Sequence, residues 1–228
     1  MAKRKYRKYS NRWRKEFNMI KGFIEKRLRG ELISDQLKCK ILGESDLQSC
    51  VFSHLQKYFK DEELDGKWPI LNEPTLEGVR PDFVICRRKA REYPPKIIIE
   101  LKEKKTFVDT KTKSLLDKDT EKIIDLMIKN KNKPNPQRNK VHKNYLILAI
   151  TTHEFAVACD AENNPETVEE ELNKSIASKL KRSKLSKNKI KPIVINAFYH
   201  KDGKEMVDRL KKIKKLRAIS VLKVNPRA

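Results

Sequence analysis

Residues 80–105 read RPDFVICRRKAREYPPKIIIELKEKK, and this stretch decides the fold. It holds two runs rich in β-branched and aromatic side chains, 79–88 and 96–104, which read as strands. The REYPP segment at 91–95 leaves one tight connection between them, so an antiparallel hairpin is expected. Charges stand where strands seldom carry them. Asp82 lies near the start of the first run, and Glu100 and Lys102 lie near the end of the second. In an antiparallel pair these positions fall at one end of the sheet. Side chains alternate with period two, so Glu100 and Lys102 also share a face. Three charged groups are therefore expected to converge.

Two half-buried carboxylates repel each other and are costly unless a cation sits between them. Hard oxygen ligands favour Mg²⁺, with Mn²⁺ as a substitute, and Mg²⁺ completes its shell with waters and phosphate. Such an ion polarises a phosphodiester and lowers the pKa of a bound water. The ammonium of Lys102, two residues from Glu100, is placed to orient that water or to neutralise charge developing on the phosphorane. The blander alternative is a strand opening after a turn at Asp82, with ELKEKK as a solvated strand end.

Outward from the hairpin, ESDLQSCVFSHLQKYF carries Leu47, Cys50, Val51, His54, Leu55 and Tyr58 on one face, a helix from about 44 to 60. His54 reads as packed and not catalytic. A first strand is expected at 68–74, with Glu73 a marginal extra ligand. A helix is expected at 119–130, capped by Asp119 or Thr120, and a buried strand at 144–152. Lys122, on that helix, reads as facing away from the site. The order is helix, three strands, helix, strand, which suggests an α/β fold with a sheet flanked by helices.

Upstream, Trp13, Phe17, Ile20, Ile24 and Leu28 recur at helical spacing, with the helix ending near Gly30 and a second short one over 31–40. Downstream, helices are expected at 165–180 and 203–217 and strands at 192–200 and 218–224. Three segments result: a basic arm and helix over 1–43, a core over 44–152, and a basic α/β extension over 153–228.

The chain has 228 residues, 54 Lys+Arg against 31 Asp+Glu, and a net charge of +23. An excess of that size costs self-repulsion in a compact state and points to a polyanionic partner. Eight Lys/Arg precede the first acid, Glu16, interleaved with Tyr6, Tyr9, Trp13 and Phe17. Lys3, Arg4, Lys5, Arg7 and Lys8 are the candidate phosphate contacts on this arm, and the aromatics are candidate stacking groups or helix anchors. Lys104 and Lys105 extend the second hairpin strand toward the same partner.

Cys39, Cys50, Cys86 and Cys159 show no CxxC spacing and read as reduced core residues, a weak sign of a reducing compartment. His142, His153 and His200 show no metal spacing. No apolar run is long enough to span a membrane, and residues 1–15 lack a secretory h-region, though a transit peptide is a minor alternative. A cytoplasmic protein, nucleoid-associated in a prokaryote, is the expectation.

The RPD at 80–82, seventeen intervening residues and the ELK at 100–102 resemble the PD-(D/E)xK nuclease superfamily. The resemblance covers about residues 44–152. It implies a restriction-endonuclease-like αβββαβ core with a mixed central sheet flanked by helices. It implies Asp82 and Glu100 as metal ligands, the main-chain carbonyl of Leu101 as a further ligand, and Lys102 as the water-positioning lysine. In members such as archaeal-type Holliday junction resolvases an acid on the first core helix joins the site. Glu44 matches that position best, with Asp46 and Gln48 as alternatives. The function so implied is a Mg²⁺-dependent endonuclease acting on DNA, branched and single-stranded forms included, with a homodimer compatible. The alternative is a non-catalytic nucleic-acid-binding protein on the same fold.

Overall fold

The computed structural model describes residues 2–76, 78–88, 93–107, 110–131, 141–151, 161–186 and 189–199, together with Lys212. Helix α1 (Ala2–Gly22) runs through a π-helical turn (Phe23–Leu28) into α2 (Arg29–Leu37). Then come α3 (Glu44–Asp61), β1 (Ile70–Asn72), β2 (Phe83–Cys86), β3 (Pro95–Lys104), α4 (Thr110–Lys131), β4 (Lys143–Ile150), α5 (Pro165–Arg182) and β5 (Ile190–Ile195).

The five strands form one mixed sheet in the order β1-β2-β3-β4-β5. β1, β2 and β3 are an antiparallel meander, whereas β3, β4 and β5 are parallel, with α4 and α5 as the crossovers. All four residues of β2 and seven of the eight in β4 are buried. That is the pattern of strands covered on both faces.

Alternation along the strands sorts the two cores. Ile97, Ile99 and Leu101 of β3, with Tyr145, Ile147 and Ala149 of β4, pack against Ile24, Leu28, Leu32, Leu47, Val51 and Leu55 of the N-terminal helices. On the other face Leu146, Leu148 and Ile150 pack against Leu116, Ile123 and Ile124 of α4 and Val168, Leu172 and Ile176 of α5. The fold is thus a sheet between two helical layers. No helix among the described residues is long and apolar enough to cross a membrane.

Several sequence expectations need correction. The N-terminal helix does not end near Gly30; it continues to Leu37. The cost of a helical glycine, about 1 kcal/mol, is outweighed by full burial of Leu28 and Leu32 on either side. Helix α4 starts at Thr110, so neither Asp119 nor Thr120 is its cap. Thr112 and Thr120 belong to its buried stripe with Leu116, Ile123 and Met127, and their polar character interrupts the apolar period. Thr120 tolerates burial because its hydroxyl donates to Leu116 O at 2.8 Å.

Strands β1 and β2 are shorter than expected, and β5 starts at Ile190 and stops at Ile195. Helix α5 begins at Pro165 behind the cap Asn164, whose side chain accepts from Glu166 N at 2.9 Å. The helix expected at 203–217 (Lys212 apart), the strand expected at 218–224, the loop at 132–140, Cys159, His153 and His200 lie outside the described residues.

Candidate active site

Strand register places the first two acids. Phe83 pairs with Ile99, Val84 with Ile98 and Ile85 with Ile97. Continued by one residue, that register sets Asp82 opposite Glu100. Asp82 stands one residue before β2, not on it. Its backbone carbonyl accepts from Glu73 N at 2.8 Å, and its Oδ2 accepts from Leu101 N at 2.6 Å. The next residue in register with Leu101 is Pro81, which has no N–H to donate. The Leu101 carbonyl therefore faces a residue with no ladder donor, while the Leu101 N–H is taken by the Asp82 side chain in place of a backbone carbonyl. The PD dipeptide thus ends the β2–β3 ladder at the point where the acids meet.

Glu100 is 1% exposed. The ammonium of Lys122, from α4, lies 2.9 Å from its Oε1 and 3.1 Å from its Oε2. The hydrogen bond goes to Oε2, and Oε1 accepts none although it is buried. Burial pushes the Glu100 carboxyl up to about 8; Lys122 opposes this, and Asp82 and Asp119 add to it.

Lys102, one turn of alternation further along β3, donates to Glu44 Oε1 at 3.1 Å and stands 3.7 Å from Asp119 Oδ2. Burial alone would push its ammonium down; Asp119 and Glu44 outweigh burial and hold it above its ordinary value. Asp119 Oδ2 is buried and accepts no hydrogen bond. Burial raises that carboxyl, with Lys102 and Lys122 opposing.

The structure thus brings together Glu44, Asp82, Glu100 and Lys102, all singled out in the sequence. It adds Asp119 and corrects Lys122, which faces the site. These two lie three residues apart on α4 and so share one face of the helix. That spacing is the signal that could have found them, once the helix was known to start ahead of Asp119. Of the alternatives to Glu44, Asp46 accepts from Leu42 N at 3.0 Å, and Gln48 donates to Asn72 and Glu73. Glu73 is held by Arg80 and Gln48.

Lys104 ends β3 on the Glu100 face, and Lys105 is exposed just beyond it. Lys3, Arg4, Lys5, Arg7 and Lys8 fall on α1, and their side chains lie outside the described residues. Trp13 and Phe17 are helix anchors: both rings pack against His142, and Trp13 also lies beneath Arg87. His54 pairs with Asp35 at 2.7 Å and is structural. Cys39, Cys50 and Cys86 are free thiols.

The donor set fits a hard divalent ion. Asp82 and Glu100 offer carboxylate oxygens, one of them buried without a hydrogen bond, and Leu101 offers a main-chain carbonyl. Among the described residues no group of three or more His, Cys, Asp and Glu side chains is gathered closely enough to hold a metal. The set here is smaller, two carboxylates and a carbonyl. Comparison with protein families, with curated proteins and with solved structures finds no match to the chain.

Proposed function

We propose that the chain is a metal-dependent endonuclease of the PD-(D/E)xK type, with a restriction-endonuclease-like core over about 44–152, that hydrolyses phosphodiester bonds of DNA. The observation that carries this is the meeting of Asp82 and Glu100 across the β2–β3 ladder with Lys102 beside them. The element order helix, three strands, helix, strand over α3 to β4 supports it.

Asp82, Glu100 and the Leu101 carbonyl would hold Mg²⁺ or Mn²⁺. When bound, such an ion supplies polarisation of the phosphodiester and a more acidic water. Lys102, gripped by Glu44 and facing Asp119, holds its ammonium near the end of β3, where it orients the attacking water and offsets charge developing on the phosphorane oxygens. Glu44 and Asp119 act through Lys102 and are positioning residues. The charge of +23, the α1 arm with Lys3, Arg4, Lys5, Arg7 and Lys8, and Lys104 and Lys105 supply the phosphate contacts.

A second reading is a non-catalytic nucleic-acid-binding protein on the same fold. In its favour, Lys122 already neutralises Glu100, and Lys102 already pairs with Glu44. Incubation with linear duplex, single strand, four-way junction and RNA, in Mg²⁺ and then in EDTA, separates the two. The nuclease reading expects cleavage in Mg²⁺ only, lost in Glu100→Ala with binding retained. Binding without cleavage of any substrate assigns the second reading.

A further inference from the structure

The ion pairs between β3 and α4 are crossed. Glu100 of β3 holds Lys122 of α4, and Lys102 of β3 faces Asp119 of α4. Strand and helix each contribute one acid and one amine. With Glu44 and Asp82 added, the site sums four carboxylates against two ammonium groups, a formal charge of −2. With Lys122 withdrawn from Glu100 the sum becomes −3, of which a divalent ion offsets two.

We propose that Lys122 is a resident counter-cation, which occupies Glu100 in the metal-free protein and is displaced from it when a divalent ion binds. This rests on the nuclease reading of the same site.

Three observations carry it. First, Glu100 is almost fully buried, and a buried carboxylate stays charged only beside a cation. Second, the one ammonium of Lys122 spans both carboxylate oxygens, 2.9 Å from Oε1 and 3.1 Å from Oε2, and donates a well-directed hydrogen bond only to Oε2. The ammonium satisfies the charge of Glu100 without saturating its lone pairs. Third, the Lys122 side chain is 29% exposed on its flexible stem, so its ammonium can leave for water without unpacking α4. A divalent ion and an ammonium on the same carboxylate would repel strongly at such range. Binding is therefore an exchange of one cation for another, and the metal affinity includes the work of releasing Lys122.

The test is calorimetric titration of the full chain with Mn²⁺ in the absence of nucleic acid. Lys122→Met should bind Mn²⁺ about tenfold more tightly than wild type, and Lys122→Arg, which keeps the charge, within about twofold of it. Unchanged or weaker binding by Lys122→Met overturns the proposal. An independent readout needs no variant. Reductive methylation of the wild-type chain, followed by peptide mass spectrometry, should label Lys122 severalfold faster in saturating Mg²⁺ than in EDTA. An equal rate overturns it as well. If wild type binds no Mn²⁺, or Glu100→Gln binds it as well as wild type does, the metal site itself is misassigned and the nuclease reading falls with it. Normal binding with no response at Lys122 sinks the exchange alone.

Discussion

Asp82 has two separable duties, and paired substitutions should pull them apart. Its Oδ2 accepts the Leu101 N–H at 2.6 Å, and Leu101 is fully buried. Asp82→Ala removes the acceptor this N–H uses, so the buried amide loses its hydrogen bond. Loss of a charge-assisted hydrogen bond to a buried amide costs about 1.5–3 kcal/mol. Asp82→Asn keeps a carbonyl oxygen at the same reach, and a neutral bond retains about 0.5–1.5 kcal/mol. Both substitutions remove the repulsion of Asp82 on Glu100, so that relief cancels in the comparison. Urea denaturation in EDTA should therefore rank wild type above Asp82→Asn, and Asp82→Asn above Asp82→Ala by about 1 kcal/mol. Cleavage should be lost in both, since neither side chain offers a carboxylate. Coincident denaturation curves for the two variants would refute the hydrogen-bond account. Cleavage by Asp82→Asn at the wild-type rate would refute the need for charge.

The remaining predictions concern the frame around the site. Gln36 is buried and bridges two backbone groups, donating to Ile150 O and accepting from Ala197 N, each at 2.8 Å. Gln36→Leu orphans both and should cost about 2–5 kcal/mol by urea denaturation; a loss under about 0.5 kcal/mol would show that the bridge contributes nothing beyond an ordinary surface substitution. At Asp35, burial pushes the carboxyl up, but hydrogen bonds from His54 and Lys40 outweigh it and hold the group below its ordinary value. A depressed carboxyl contributes stability above its unfolded value and loses it as pH falls through the folded one. His54→Ala should lower stability at pH 7 and shrink the loss between pH 7 and pH 3; an unchanged acid limb would mean that the pair is energetically idle.

Much of the frame was legible in the chain because it follows from local chemistry. The periodic apolar face of residues 44–60, the buried run at 144–152 and the helix at 165–180 each announce themselves through period and capping, and each is present within a few residues. The hairpin was legible because its two strands are close in sequence, so one short connection fixes their direction. Asp82, Glu100 and Lys102 follow from that hairpin, since alternation and antiparallel pairing together place them at one end. The tenure of Trp13 and Phe17 in the core was less plain, because a basic arm with aromatics reads equally as a stacking platform.

What only tertiary structure decided is the part of the site that comes from α4, and the seating of β5. Asp119 looked like a cap because Thr112 and Thr120 interrupt the apolar stripe that would have extended the helix upstream. Whether Lys122 faces Glu100 or solvent depends on how Leu116, Ile123 and Met127 seat α4 on the sheet, a rotation no local pattern encodes. The parallel addition of β5 beyond β4 likewise depends on α5 crossing one face. The chain by itself set the acids at one end of the hairpin, Glu100 on β3 and Asp82 just ahead of β2, because pairing over short range and alternation are local rules. Lys122 met Glu100, and Lys102 met Asp119, only when packing across the sheet turned α4 toward β3.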